Sequence, residues 1–178
     1  NVSIVIFGVA GALSRRAHEL KTFAGDAEPA AFLAGFAVVP LVKAQAAFDE
    51  SARWMRSRQV FGRRLAEMQH WQYRLAERAT QIATARDLCY KAALRQDAGE
   101  AFPEPETSMA KLQGTQVAAD MARDAVQLHG GYGFTSRLGA DGSRYRVEQL
   151  YRDAKGPEIY EGSNEVMKMI IARQMFGR

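Results

Sequence analysis

From Leu65 onward, key positions recur in alternating steps of three and four: Leu65, Met68, Gln72, Leu75, Ala79, Ile82, Arg86, Cys89 and Ala93. Only an α-helix lines such positions along one face. Gln72 and Arg86 interrupt a stripe that is otherwise apolar. A single apolar stripe on a helix this long has to be covered by other helices, so the spacing from 63 to about 99 predicts a bundle helix. Gly99, Pro103 and Pro105 then mark a connection short enough for an antiparallel return.

The remaining segments fit the same architecture. A helix is predicted from about 104 to 129, with stripe Leu112, Thr115, Ala119, Ala122 and Val126, acidic Glu104 and Glu106 at its start, and Gly130 as a left-handed cap. Upstream, Gly25 to Pro29 is a break. An alanine-rich helix follows to about 59, its stripe read as Phe32, Phe36, Val39, Val42 and Ala46, with Pro40 expected to kink or split it. A short helix is predicted over 145–155 with Leu150 inward, then a Gly156-Pro157 break and a last helix carrying Val166, Met167, Met169, Ile170 and Ile171. The fold class expected is all-α, an up-down antiparallel four-helix bundle over 28–178, preceded by a short non-bundle segment over 1–27 of unclear role.

Composition narrows the function. A chain of 178 residues with 47% hydrophobic content can bury one core without staples. The net charge of +4 comes with no lysine/arginine block interleaved with aromatics, so nucleic acid is not a favoured partner. A modest positive field suits an anionic small molecule. Cys89 is the only cysteine, which rules out an internal disulfide and suits a reducing compartment; its place in the helical pattern predicts a buried, inert thiol. No metal-ligand set is expected. The apolar run from Val2 to Leu13 is too short to span a bilayer and has no basic residues ahead of it, as a secretory signal would. Ser3 to Phe7 reads as a strand followed by glycines, but the three-glycine dinucleotide fingerprint is absent and no strand–helix alternation follows. Beginning at Asn1, the sequence reads as processed or as part of something longer.

Two stretches invite chemistry. In Ile159-Tyr160-Glu161-Gly162-Ser163-Asn164-Glu165 a carboxylate sits between an aromatic residue and a glycine, just ahead of the last helix. Gly162 allows close approach of a ligand or backbone, and Ser163 and Asn164 are good N-cap types. Desolvation would strengthen Glu161 as a base, and the helix dipole would oppose that. Taken alone, the Glu-Gly pair also reads as a capping or surface glutamate. The second stretch, His129-Gly130-Gly131-Tyr132-Gly133-Phe134, has more glycine than a cap needs and reads as close approach to something flat or bulky, or as a flexible loop. Arg53, Arg56 and Arg58 cluster at the end of the first helix, where basic residues complement the dipole.

Five words in order, Arg58-Gln59-Val60-Phe61-Gly62, Met68-Gln69, Asp124 to Gly133, Tyr151-Arg152-Asp153-Ala154-Lys155 and Ile159 to Glu165, resemble the C-terminal helical domain of the acyl-CoA dehydrogenase family from about residue 32 to the end. The resemblance implies a flavin enzyme that introduces an α,β double bond into an acyl-CoA thioester. Glu161 matches the base that removes the α-proton while the β-hydride passes to N5 of FAD, and Tyr160 and Gly162 line the acyl pocket. Arg58 matches a contact to the FAD pyrophosphate, Phe61 to its adenosine end and Gln69 to the cofactor by its amide. Gln127, Gly130 and Gly131 bring backbone to the adenine-diphosphate portion, and Ser163 and Glu165 lie beside the chain's own flavin. In the family the first of these groups reach the FAD of a neighbouring subunit, which implies a homo-oligomer (dimer or tetramer) with FAD at its interfaces. An electron-acceptor protein is a further implied partner. The implied setting is the cytoplasm, or the mitochondrial matrix in a eukaryote.

The family's N-terminal helical and central β-domains have no counterpart here. An Asp-x-x-Arg pair that meets CoA in many members falls on Ala30 and Leu33. Other branches place the base on the first bundle helix, where Phe32 carries no carboxylate. Two alternatives stay open: an acyl-CoA oxidase-type relative, and a non-catalytic helical domain that only assembles with partners. Glu161 argues against the family's monooxygenase-like members.

Overall fold

The computed structural model describes residues 28–100, 103–136 and 145–177, with side chains in the first helix from 37 onward. The expectations for 1–27, for Phe32 and Phe36, and for most of the polar turn after Thr135 lie outside these residues.

Helices α1 (Glu28–Ser57), α2 (Gln69–Asp97) and α3 (Glu104–His129) form the frame. A one-turn helix α4 (Gly131–Phe134) follows α3; then come α5 (Arg146–Lys155), a 3-10 turn over Gly156–Glu158, and α6 (Asn164–Phe176). The chain is a helical bundle, as its periodicity predicts. Helix α3 is its spine, packing against α1, α2, α5 and α6. That explains why its buried residues go round more of the helix than one stripe: Ala110, Lys111, Gly114, Val117, Ala118, Met121, Ala125 and Leu128 all lie inside.

Three expectations are corrected. Pro40 does not split α1: the helix runs from Glu28 to Ser57, and the ring is buried. The face of α1 turned to the core is Ala37, Leu41, Ala44, Ala47, Ser51 and Met55, while Val39 and Val42 are 43% and 52% exposed. Small residues win that face because they let two helix backbones come close. A Cβ built on Gly114 of α3 would stand 3.2 Å from the Ala37 carbonyl. The long helix expected from 63 begins only at Gln69. Ahead of it, β1 (Gln59–Val60) and β2 (Arg63–Arg64) pair antiparallel, with a 3-10 turn over Leu65–Glu67. Phe61 and Gly62, at φ of 51° and 76°, form the two-residue turn that a tight hairpin requires.

Along α2 the buried residues are Leu75, Arg78, Ile82, Ala85, Cys89 and Ala92. Fully burying a side chain such as Ile82 contributes about 1.5–3 kcal/mol. Arg78 is the exception to an apolar face; Gln81 of the same helix accepts from its Nη1 at 2.8 Å, and α3 supplies its carboxylate partners. Its Nε donates to Asp124 at 2.7 Å and its Nη1 to Asp120 at 3.1 Å. Burial pushes the Cys89 thiol up to about 12, so it is protonated and unreactive at neutral pH.

Candidate functional site

The structure gathers the notable side chains into two clusters on α3. One is at its C-terminal end. His129 closes the helix and is buried; its Nδ1–H donates to the Ala125 carbonyl at 2.8 Å. Burial pulls its pKa below 6.5, which keeps the ring neutral. Trp54, in the last turn of α1, stacks on that ring with centroids 4.8 Å apart and planes 24° apart. Tyr132 and Tyr145 meet the edges of this group, Tyr132 at 5.5 Å from Trp54 and Tyr145 at 6.0 Å. The Arg58 guanidinium lies over Trp54 and Tyr132, 5.9 and 5.7 Å from their ring centroids. Its place follows from local folding: the Arg58 amide continues the α1 ladder to Trp54, and its carbonyl accepts from Leu65 as the hairpin returns.

Beside these rings is an open cleft of about 650 Å³, a size typical of small-molecule sites. Arg58, Gln127, Gly130 and Gly131 line it together with Trp54 and Tyr132. Gly130 caps α3 at φ 61°, ψ −136°, a positive-φ conformation that only glycine adopts easily, though with a different ψ from the left-handed cap expected. A Cβ on Gly130 or Gly131 would meet nothing within 4 Å, so both present bare backbone to open space. Gly133 has a different reason to be glycine: a Cβ there would come within 2.7 Å of the Val126 carbonyl. Of the six residues expected to line a cofactor's diphosphate and adenosine end, four converge here. Phe61 does not: it stands 98% exposed at the tip of the hairpin turn. Gln69 is exposed at the start of α2, its amide bonded to the Tyr73 hydroxyl. The cleft's residues fit part of a flavin dinucleotide: a planar cation suited to a diphosphate, aromatic faces for a flat ring, and bare backbone for close approach.

The second cluster surrounds the Glu161 turn, which follows the 3-10 turn over Gly156–Glu158 and leads into α6. Glu161 and Gly162 have φ of 56° and 90°, two positive values in succession. For the glutamate that conformation costs roughly 1–2 kcal/mol, so the surroundings have to hold it. They do so from α3. The Lys111 ammonium donates to the Gly162 carbonyl and, at 3.4 Å, to Asn164 Oδ1. Thr115, one helical turn later, donates to the same Oδ1 at 2.8 Å. Ser163 is the N-cap of α6, accepting from the Val166 amide at 3.4 Å. The Tyr160 ring lies over Gly156, where a Cβ would come within 2.9 Å of it. Glu165 is held below the usual carboxylate range by a backbone N–H and by Ser163. Glu161 itself is exposed in the single chain, so its own neighbours do not supply the dry surroundings expected of it.

Sequence reasoning picked out Arg58, Gln127, Gly130, Gly131, Glu161 and Ser163, but passed over Trp54, the stacking role of His129, and the Lys111–Thr115–Asn164 tie. Lys111 had a visible signal: it sits between Ala110 and Leu112 and four residues before Thr115, so it is a lysine on a core-facing helix. Among the described residues no group of three His, Cys, Asp or Glu side chains could hold a metal, and no helix is long and apolar enough to cross a membrane.

Residues 33–176 match the family model for the acyl-CoA dehydrogenase C-terminal domain. The chain is 39% identical over 141 residues to a 3-(aryl)acrylate reductase of Clostridium sporogenes and covers 79% of itself and 35% of that protein. It is 40% identical over 142 residues to a short-chain-specific acyl-CoA dehydrogenase of Clostridium acetobutylicum, covering 80% of itself and again 35% of the relative. It thus spans about a third of the length of the curated relatives it matches. Among solved structures, an acyl-CoA dehydrogenase of Geobacillus kaustophilus superimposes with a TM-score of 0.75 at 36% identity, over 83% of this chain and 37% of that one.

Proposed function

This chain belongs to the acyl-CoA dehydrogenase family, as its C-terminal helical domain, and from that we propose that it carries the base for FAD-dependent α,β-dehydrogenation of an acyl-CoA thioester. The observation that carries the proposal is the tethered turn: a carboxylate-bearing residue kept at positive φ ahead of a helix, with three side chains securing the backbone on its far side. Strain of that kind persists where the position of a side chain matters.

In this reading Glu161 takes the proton from the carbon next to the thioester carbonyl. Such a C–H is only weakly acidic, so the developing negative charge on the thioester oxygen has to be met; the backbone N–H of Glu161 is the donor this chain contributes. FAD, when bound, accepts the hydride from the β-carbon. Tyr160 and Gly162 shape the acyl side of the pocket. Run backwards, the same carboxyl returns a proton to the α-carbon.

The cleft at Arg58 would hold the diphosphate and adenosine portion of FAD, with Gln127, Gly130 and Gly131 at its wall; Phe61 and Gln69, outside the cleft, would meet the cofactor from the exposed hairpin tip and the start of α2. The two clusters are separated by the α3 segment from Lys111 to His129, roughly 18 residues and so about 27 Å of helix. This supports a site built from two chains, the cleft of one subunit serving the flavin beside the Glu161, Ser163 and Glu165 of its neighbour. A homo-oligomer follows, and an electron-acceptor protein completes the turnover. The exposed apolar side chains of Phe61, Phe134 and Phe176 are consistent with such assembly.

The test is Glu161→Gln in the FAD-loaded protein that carries this domain. We expect retained flavin and thioester-driven flavin bleaching slowed by about 100-fold or more. Undiminished bleaching would put the base elsewhere.

A further inference from the structure

We infer that Lys111 is the positioning residue for Glu161, tying the Glu161–Gly162 turn to the bundle from inside α3. This rests on the reading of Glu161 as the base.

Lys111 is 2% exposed, on a helix face it shares with Ala110, Gly114 and Thr115. Lysines are almost never buried to that degree without an ionic partner. Here the ammonium donates to two neutral oxygens, the Gly162 carbonyl and Asn164 Oδ1. Among the described residues no carboxylate lies within salt-bridge distance of it. Burying a cation against neutral acceptors is a poor way to gain stability, because the lost hydration is only partly replaced. Thr115 already satisfies Asn164 without it.

What the lysine does supply is a donor at one place. Among the described residues, the charges that act on Lys111 are the carboxylates of Glu158, Glu161 and Glu165, from the 3-10 turn, the loop and α6. Two of these three have other partners. Glu158 pairs with Lys155 at 2.7 Å. Glu165 is held by a backbone N–H and by Ser163, with Lys168 and Lys155 nearby. Glu161 has no ion-pair partner among the described residues, so it is the turn's backbone that sets where its carboxylate lies. The Lys111 hydrogen bond fixes the carbonyl immediately after that residue, where two positive φ values would otherwise relax. Removing the lysine should free the turn and let the carboxylate leave the position in which the backbone holds it.

The test compares Lys111→Met with Glu161→Gln in the FAD-loaded protein that carries this domain. Readouts are flavin content, thermal unfolding, amide hydrogen exchange over 158–165, and the rate and KM of thioester-driven bleaching. For Lys111→Met we expect retained flavin, faster exchange in the turn, and bleaching slowed by roughly 10- to 100-fold with KM little changed. Wild-type bleaching by Glu161→Gln defeats the base assignment, whatever Lys111→Met does. A silent Glu161→Gln beside a Lys111→Met with the parent's rate overturns the inference about Lys111 alone. A slowed rate with unchanged exchange over 158–165, or with KM raised in proportion, also overturns it, since the lysine then does not act by holding the turn. Should Lys111→Met not fold, Lys111→Gln, which keeps a donor and drops the charge, takes the same test. If neither folds, the role is structural and the inference fails.

Discussion

Glu161 shows what can and cannot be read from a linear motif. Its neighbours announce it: Gly162, the cap at Ser163 and the apolar helix behind. Its backbone conformation is not announced, because a glutamate at φ 56° is held there by Lys111, Thr115 and Asn164, two of them some fifty positions earlier. Trp54 and His129 escaped notice for the same reason, since their stacking joins the ends of two helices far apart in sequence. Arg58, Gln127, Gly130 and Gly131 were legible as a set through the words that resemble the acyl-CoA dehydrogenase family; composition alone marked only the excess of glycine after His129. The strain at Glu161 makes a prediction. Glycine adopts positive φ freely, so Glu161→Gly should raise the unfolding free energy by about 0.5–1 kcal/mol even as it removes the proposed base. Thermal unfolding measures this; a lower melting temperature would mean that the glutamate side chain itself helps to hold the turn.

At the level of elements, helix existence was legible and helix facing was not. Three long periodic stretches became α1, α2 and α3, and the third matched its expected bounds. In α1, however, the large side chains Val39 and Val42 suggested one inner face, and the alanines took another, because close backbone approach to Gly114 of α3 needs small residues on both sides. The hairpin went unseen because a phenylalanine occupies the first central position of its turn, where asparagine is the usual signal. The link between α2 and α3 also runs against pattern: the stripe placed Ala79 inward, but Ala79 is exposed and its neighbour Arg78 is the buried residue. Asp124→Ala would leave Arg78 with Asp120 at 3.1 Å as its one carboxylate partner, beside the neutral Gln81 at 2.8 Å. We expect a loss of about 2 kcal/mol, read by denaturant unfolding, and a smaller loss when Arg78→Met accompanies it, since the buried cation is then gone.

For the whole molecule, the length of α3 decides how a site can be assembled. The cleft and the Glu161 turn hang from opposite stretches of one helix, so in the proposed function each subunit would contribute a cradle to one reaction centre and a base to another. Two defects that silence the protein separately should therefore rescue each other when mixed. Chains carrying Glu161→Gln, combined with chains carrying Arg58→Ala, form pairs in which one centre inherits both faults and the other inherits neither. Turnover should reappear on co-expression, although each variant alone is inactive or poorly loaded with flavin. If mixed assemblies are confirmed by mass and turnover stays absent, cradle and base belong to the same chain.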